Sequence, residues 1–341
     1  MLARVLFNVA TRLKSPQRLG AARRRMHLLV ALSFGTALVV TWCSDGWACS
    51  VCGCGDPLLI ASDPAAINGV LRLQLDSEYL RVDARNDLQP GYTDQLTQWS
   101  FRLNVSYRPI ERLSFTATVP VLYKIIHTVG GGSDETTSAL TGLGDAEVAG
   151  RYAVLKSINL RNGLANELAV TAGSSIPTGR YNAKAADGTL IDPHGQIGTG
   201  AWGPFAGLNY LVEQGHWLGF ASVTGRLRTK GSYFDRSTYQ FGNAAYYSVH
   251  GQYRLLSALD LDLGVDARYA EADTATDATG AVVERVPNTG GTVVSAAPGV
   301  YINPTDDFWF FLRAQIPVYK HLFGEQNILP SITAGVQYLV L

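Results

Sequence analysis

From Gly69 to the last residue, apolar and polar side chains alternate along most of the chain. The clearest case runs from Leu259 to Tyr269. Leu259, Leu261, Leu263, Val265, Ala267 and Tyr269 form one apolar set, and Asp260, Asp262, Asp266 and Arg268 fall between them. A β-strand sends successive side chains to opposite faces, so such a stretch separates two different solvents. Trp99, Phe101, Leu103, Val105 and Tyr107 alternate in the same way with Ser100, Arg102, Asn104, Ser106 and Arg108, as do Leu71, Leu73 and Leu75 with Arg72, Gln74 and Asp76.

Taken in order, the alternation predicts twelve strands, at 69–84, 94–108, 113–127, 143–155, 165–178, 194–211, 215–229, 238–254, 258–271, 290–303, 307–320 and 328–341. Short links at 109–112, 212–214, 255–258 and 304–306, and a somewhat longer one at 156–164, alternate with long links at 82–93, 128–142, 179–193, 230–237, 271–290 and 320–327. That is the order of tight periplasmic turns and extended external loops in an outer-membrane barrel. Tyrosines support it independently. Tyr107, Tyr152, Tyr210, Tyr253, Tyr301 and Tyr338 fall near one end of the strands, and Tyr79, Tyr123, Tyr269 and Tyr319 near the other, as two interfacial girdles require.

The predicted fold class is therefore all-β, a transmembrane antiparallel up-and-down β-barrel of about 12 strands. A soluble β-sandwich or lipocalin-like barrel would also alternate. Its strands are usually only about 5–6 residues long, and its apolar face would have to pack inward.

The chain before the barrel changes character. Arg23, Arg24 and Arg25 precede an apolar run from Leu28 to Val40, the order of a secretory signal, and the run is shorter than the ~20 residues that span a bilayer. Small residues at Gly46 and Ala48 place cleavage after Ala48, so residues 1–48 read as a signal peptide. Residues 49–68 then form a cysteine-rich periplasmic segment, and 69–341 the barrel, in the outer membrane of a Gram-negative-type bacterium. Cys49, Cys52 and Cys54, with glycines between them, can converge on a soft cation such as Cu or Zn. A disulfide or a lipid on Cys49 are the alternatives.

Composition narrows the function. Lys+Arg and Asp+Glu are each 28, so a nucleic-acid partner is not expected. The polar stripe would line a lumen holding Arg72, Arg102, Arg151, Arg226, Arg268 and Arg313 against Asp76, Asp145, Glu147, Glu167, Asp260, Asp262 and Asp266. Nearly balanced signs suit neutral or zwitterionic solutes, or a wall braced by its own ion pairs, whereas one dominant sign would select by charge. His250 shares the inward face with Ser248 and Arg254. Neither it nor His194 or His216 stands in the spacing of a catalytic triad, so an enzyme is not expected.

Thr141-Gly-Leu-Gly-Asp145, Ser175-Ile-Pro-Thr-Gly179, Gly198-Thr-Gly200, and Ile316-Pro-Val-Tyr319 followed by Gly324-Glu-Gln326 resemble, in order, the outer-membrane β-barrel family labelled for transport in the phenol meta-cleavage degradation pathway. The resemblance covers about residues 69–341 and implies passage of small, often hydrophobic molecules. The C-terminus departs from the usual insertion signal, since Tyr338 is followed by Leu339, Val340 and Leu341. Two readings follow: a channel or transporter embedded in outer-membrane lipid and passing a small-molecule solute, or a closed barrel anchoring the cysteine segment as a scaffold for a periplasmic metal or redox partner.

Overall fold

The computed structural model describes residues 71–85, 93–130, 135–185, 188, 190–232, 238–276 and 283–340. Cys49, Cys52 and Cys54, the signal peptide and the cysteine-rich segment lie outside the described residues.

The strands are β1 (Leu71–Arg85), β2 (Thr93–Ile110), β3 (Leu113–Val129), β4 (Glu135–Leu143), β5 (Ala146–Asn159), β6 (Leu164–Ile176), β7 (Gly203–Gln214), β8 (Trp217–Arg226), β9 (Gly231–Ser232), β10 (Thr238–Gln240), β11 (Ala244–Leu256), β12 (Leu259–Ala270), β13 (Thr274–Thr276), β14 (Val283–Arg285), β15 (Gly291–Thr305), β16 (Phe308–Leu322), β17 (Gln326–Ile328) and β18 (Ser331–Val340). Pairing is antiparallel throughout, and β1 pairs with β2 on one side and with β17 and β18 on the other, which closes the sheet. β4 and β5 occupy one position in the wall, as do β17 and β18, so the barrel has twelve wall strands in up-and-down order.

Burial is inverted relative to a soluble protein. In β1, Asp76 is 2% exposed and its neighbour Leu75 54%; in β12, Asp262 is 6% exposed and Leu263 67%. Apolar side chains on the outside demand a hydrocarbon solvent, and polar ones inside face a lumen. Four links are two-residue hairpins, between register pairs Ile110 and Leu113, Gln214 and Trp217, Leu256 and Leu259, and Thr305 and Phe308. Leu71 pairs with both Tyr107 and Val340, so the barrel begins and ends at this short-turn end.

Exposed rings mark the girdles. Trp217 packs on Tyr253 at 4.7 Å near the short turns, and Tyr79 on Trp99 at 4.9 Å near the long loops.

Three boundaries differ from the sequence reading. The strand expected at 194–211 joins the wall only at Gly203, because residues 194–202 are held inside the barrel by contacts described below. The expected link at 128–142 contains β4, which extends the wall along the outer half of β3. The strand expected at 238–254 begins at Ala244. β10 leaves the wall to join β9, β13 and β14 in a separate four-stranded sheet built from the long loops.

Candidate functional site, the barrel lumen and its inward segment

The inner face of the wall is bound together by ion pairs. Arg102 on β2 donates to Asp76 at 2.6 Å and to Glu78 at 2.9 Å, both on β1. Arg226 on β8 donates to Glu147 on β5 at 2.5 Å, and its guanidinium lies 4.8 Å from the centre of the Phe205 ring. Arg151 pairs with Glu167 at 2.5 Å and Arg254 with Asp260 at 3.0 Å, while Arg268 stacks on Tyr246 at 5.5 Å. Arg72 reaches Ser106 at 3.2 Å. Among the described residues, most of these inward-facing charges thus have a partner of opposite sign or an aromatic ring.

His250 occupies the densest part of this network. Its Nδ1 lies 2.9 Å from Asp262 and its Nε2 3.0 Å from Asp266. Asp266 also accepts from Ser248 at 2.5 Å and from Gln315 at 2.9 Å, and Arg313 stands 3.6 Å away. The ring lies flat against β12 because position 264 is glycine. A Cβ there would stand 2.2 Å from Nδ1. Gly264→Ala is therefore expected to displace the imidazole and cost about 1–3 kcal/mol, read as a lower temperature for loss of the compact, heat-modifiable form on electrophoresis.

The second component of the lumen is the segment between β6 and β7, residues 177–202, of which 177–185, 188 and 190–202 are described. It folds onto inward-facing side chains at the long-loop half of β1, β2 and β3. Ala183 and Ile191 pack with Val82, Leu96 and Ile126, and Ile197 packs with Leu122, Tyr239 and Phe241. Gln196 staples the segment to itself, accepting from the Ala183 N–H at 2.8 Å and donating to the carbonyls of Ala183 and Ile191 at 3.0 and 2.8 Å. Lys124, fully buried on the inner face of β3, donates to the carbonyls of His194 at 3.0 Å and Gln196 at 2.6 Å.

Both ends of the segment are fixed at one carboxylate. Asp145 lies in the break between β4 and β5. Its Oδ1 accepts from the Gly179 N–H at 2.9 Å, and its Oδ2 from the Thr199 N–H and hydroxyl at 2.8 and 2.6 Å. The Thr178 hydroxyl spans the same break, accepting from the Ala146 N–H and donating to the Gly144 carbonyl, each at 2.8 Å. Gly179 and Gly198 cross so closely that a Cβ on Gly198 would stand 2.5 Å from the Gly179 backbone. Three of the motifs noted in the sequence thus meet at one place. The remaining one is used separately, where the Glu325 N–H donates to Asn288 at 2.8 Å between two other long loops.

A third anchor joins the segment to the loop sheet. His194 Nε2 lies 3.0 Å from Asp273 and from the Tyr239 hydroxyl, and Tyr239 donates to Asp273 at 2.6 Å. Burial holds the Tyr239 phenol well above its ordinary pKa, so it remains a donor at any working pH. Asp273 also accepts from the Gly242 N–H at 2.7 Å.

Of the residues proposed from sequence as lumen-lining, Arg72, Asp76, Arg102, Glu147, Arg151, Glu167, Arg226, His250, Asp260, Asp262, Asp266, Arg268 and Arg313 lie in the wall network just described. Asp145 instead serves the inward segment. Lys124, Gln98 and Gln196 were not singled out. Lys124 stands alone as a charge in the run Val119–Ile126, apolar on both faces, which is the one signal that could have found it. Among the described residues, no group of His, Cys, Asp and Glu is arranged to hold a metal ion.

No protein-family profile and no curated protein matches the chain. Solved structures do. An outer membrane channel from Pseudomonas putida F1 is 14% identical, with 81% of this chain and 98% of that one covered and a TM-score of 0.58. The transport unit of the autotransporter AIDA-I from Escherichia coli is 11% identical over 83% and 94% of the two chains, with a TM-score of 0.48. The CymD monoaromatic hydrocarbon channel is 9% identical over 84% and 92%, with a TM-score of 0.40. The first of these likenesses shows the same fold. With the lipid-facing exterior, the paired girdles and the closed up-and-down wall, it makes this chain a twelve-stranded β-barrel of the bacterial outer membrane.

Proposed function

We propose that the barrel is a channel for small neutral or hydrophobic molecules, and that residues 177–202 control its outer mouth. The observation that carries this reading is the lumen wall itself, where acidic and basic groups are paired with one another around the barrel. Such a wall offers no net field to concentrate one sign of ion, so it favours solutes that carry no net charge. The fold shared with an outer membrane channel supports the same reading. The inward segment supplies the control, because its polar anchors outside itself are specific groups, Lys124 and Asp145 on the wall and Asp273 beside the loop sheet.

The test is liposome swelling with sugars, anionic amino acids and cationic amino acids of similar size, together with single-channel conductance. Neutral solutes are expected to enter faster than either charged class. Lys124→Met is expected to raise both swelling rate and conductance. It removes two charge-assisted hydrogen bonds and recovers the burial cost of an ammonium, a net loosening of about 2 kcal/mol. A strong preference for one sign of charge, or a sealed barrel in both proteins, would overturn the proposal.

A further inference from the structure

His194 joins the inward segment to the loop sheet, and the chemistry of its ring decides how firmly. Tyr239 gives its one hydroxyl proton to Asp273 at 2.6 Å, so toward His194 Nε2, 3.0 Å away, the phenol oxygen accepts. The same nitrogen lies 3.0 Å from the Asp273 carboxylate. Both partners are acceptors, so Nε2 carries a proton whether the ring is neutral or charged. The proton that comes and goes near neutral pH is therefore the one on Nδ1, and the charge goes with it.

The groups about this ring are mostly acidic. On the segment itself, Asp192 accepts from the His194 backbone N–H at 2.8 Å. Asp273 comes from the stretch between β12 and β13, and Asp94 from β2, where its charge acts on Asp192. β3 contributes a cation, Lys124, which donates to the His194 carbonyl at 3.0 Å. β10 contributes the Tyr239 phenol, and just beyond it the Phe241 ring meets the imidazole edge-on at 5.5 Å. Among the described residues, three carboxylates thus face one ammonium here until His194 is charged. His194, Asp273 and Tyr239 are 9%, 3% and 6% exposed, so water does little to screen the imbalance. Burial raises the Asp192 carboxyl above its ordinary pKa, and charge on His194 works against that rise.

We infer that His194 is a proton-operated latch between the inward segment and the loop sheet, closed while the imidazole is charged and released when that charge is lost. A charged imidazole is attracted by the carboxylates of Asp192 and Asp273, and a neutral one keeps only the hydrogen bonds. Protonation therefore favours the docked segment, and docking is lost as pH rises. The latch concerns the segment; that its release opens a solute path rests on the channel reading above.

Hydrogen exchange of the full-length protein in lipid nanodiscs tests it, at about pH 6 and about pH 8.5, each rate divided by the intrinsic rate at that pH. The Gly195 and Gly198 amides report on the segment, being bonded to the Asp192 and Arg180 carbonyls at 2.8 Å each, and the β2–β3 ladder reports on the wall. Wild type is expected to lose protection about tenfold in the segment at the higher pH, as a charge-assisted hydrogen bond becomes a neutral one, with the wall unchanged. His194→Gln keeps a donor without a titrating charge, and Asp273→Asn keeps an acceptor without its charge. Each is expected to hold the change within about twofold, and either serves if the other does not assemble. Unchanged protection in wild type, or a tenfold change that persists in either variant, would overturn the proposal. Single-channel current recorded on the same protein at both pH values keeps the channel reading distinct. Release of the segment without current at either pH retains the latch and overturns the channel, whereas current that follows pH while protection stays flat does the reverse.

Discussion

Asp145→Ala is expected to release residues 177–202 from the lumen wall while leaving the barrel assembled. The carboxylate accepts three hydrogen bonds from the two ends of the segment, two of them from backbone N–H groups of Gly179 and Thr199. Asp145 is 2% exposed, so water does not replace those bonds. Each stranded donor costs about 1–3 kcal/mol, and the charge-assisted character of the lost bonds places the total near 3–5 kcal/mol. The loss is local, because the wall is held by ladders in which Asp145 takes no part. Hydrogen exchange at the Gly179 and Thr199 amides should accelerate by more than about a hundredfold, and protease should cut within the segment. Asp145→Asn keeps one acceptor and should give a smaller change. Unaltered exchange in the alanine variant would mean that the segment is held by its apolar contacts with Val82, Leu96 and Ile126 alone.

Arg226→Met should act on the barrel as a whole. Arg226 and Glu147 have side chains 0% and 1% exposed, and the bond between them joins β8 to β5 past two intervening strands. Removing the arginine leaves a carboxylate buried without its ion-pair partner, which costs about 3–5 kcal/mol. The pair itself contributes much less than this, because each charge was desolvated to form it. Arg226→Met combined with Glu147→Gln is therefore expected to recover most of the stability lost by the single variant. The readout is thermal unfolding in detergent, followed by loss of the compact electrophoretic form. A double variant no more stable than the single one would show that the penalty lies in lost packing of the guanidinium against Phe205.

Much of the barrel was legible because period-two alternation is enforced residue by residue. Leu259–Tyr269 could be assigned to a face without any partner in view, and β12 spans Leu259–Ala270. The same rule misplaced residues 194–202. Pro193, His194 and Gly195 form a turn of 3-10 helix there, capped by the Asp192 carboxylate, which accepts from the His194 N–H at 2.8 Å. That conformation is set by distant partners, Lys124 at a separation of 70 residues and Asp145 at 54, and no local window contains them. The inward charges could be named from parity, but not their pairing. Nothing in the spacing of Glu147 and Arg226 says that they meet.

The cysteine motif remains an inference from sequence, and so do the metal, disulfide and lipid readings attached to it. The Gly-rich motifs fared differently. Thr141–Asp145, Ser175–Gly179 and Gly198–Gly200 entered as the motifs that carry the family resemblance. The structure gives them a joint role, as the hinge at which an interrupted wall strand receives both ends of the inward segment.

What the sequence determined by itself was the division between two solvents. A strand in the wall of a barrel must alternate, and its length, its girdle tyrosines and the rhythm of short and long links fix a membrane barrel of twelve strands. Tertiary structure alone decided what fills that barrel. Residues 177–202 carry glycines, prolines and small polar groups that suit many conformations. They take this one because Asp145, Lys124 and Asp273, remote in sequence, present acceptors and donors whose burial would be costly unless the segment came inside to meet them.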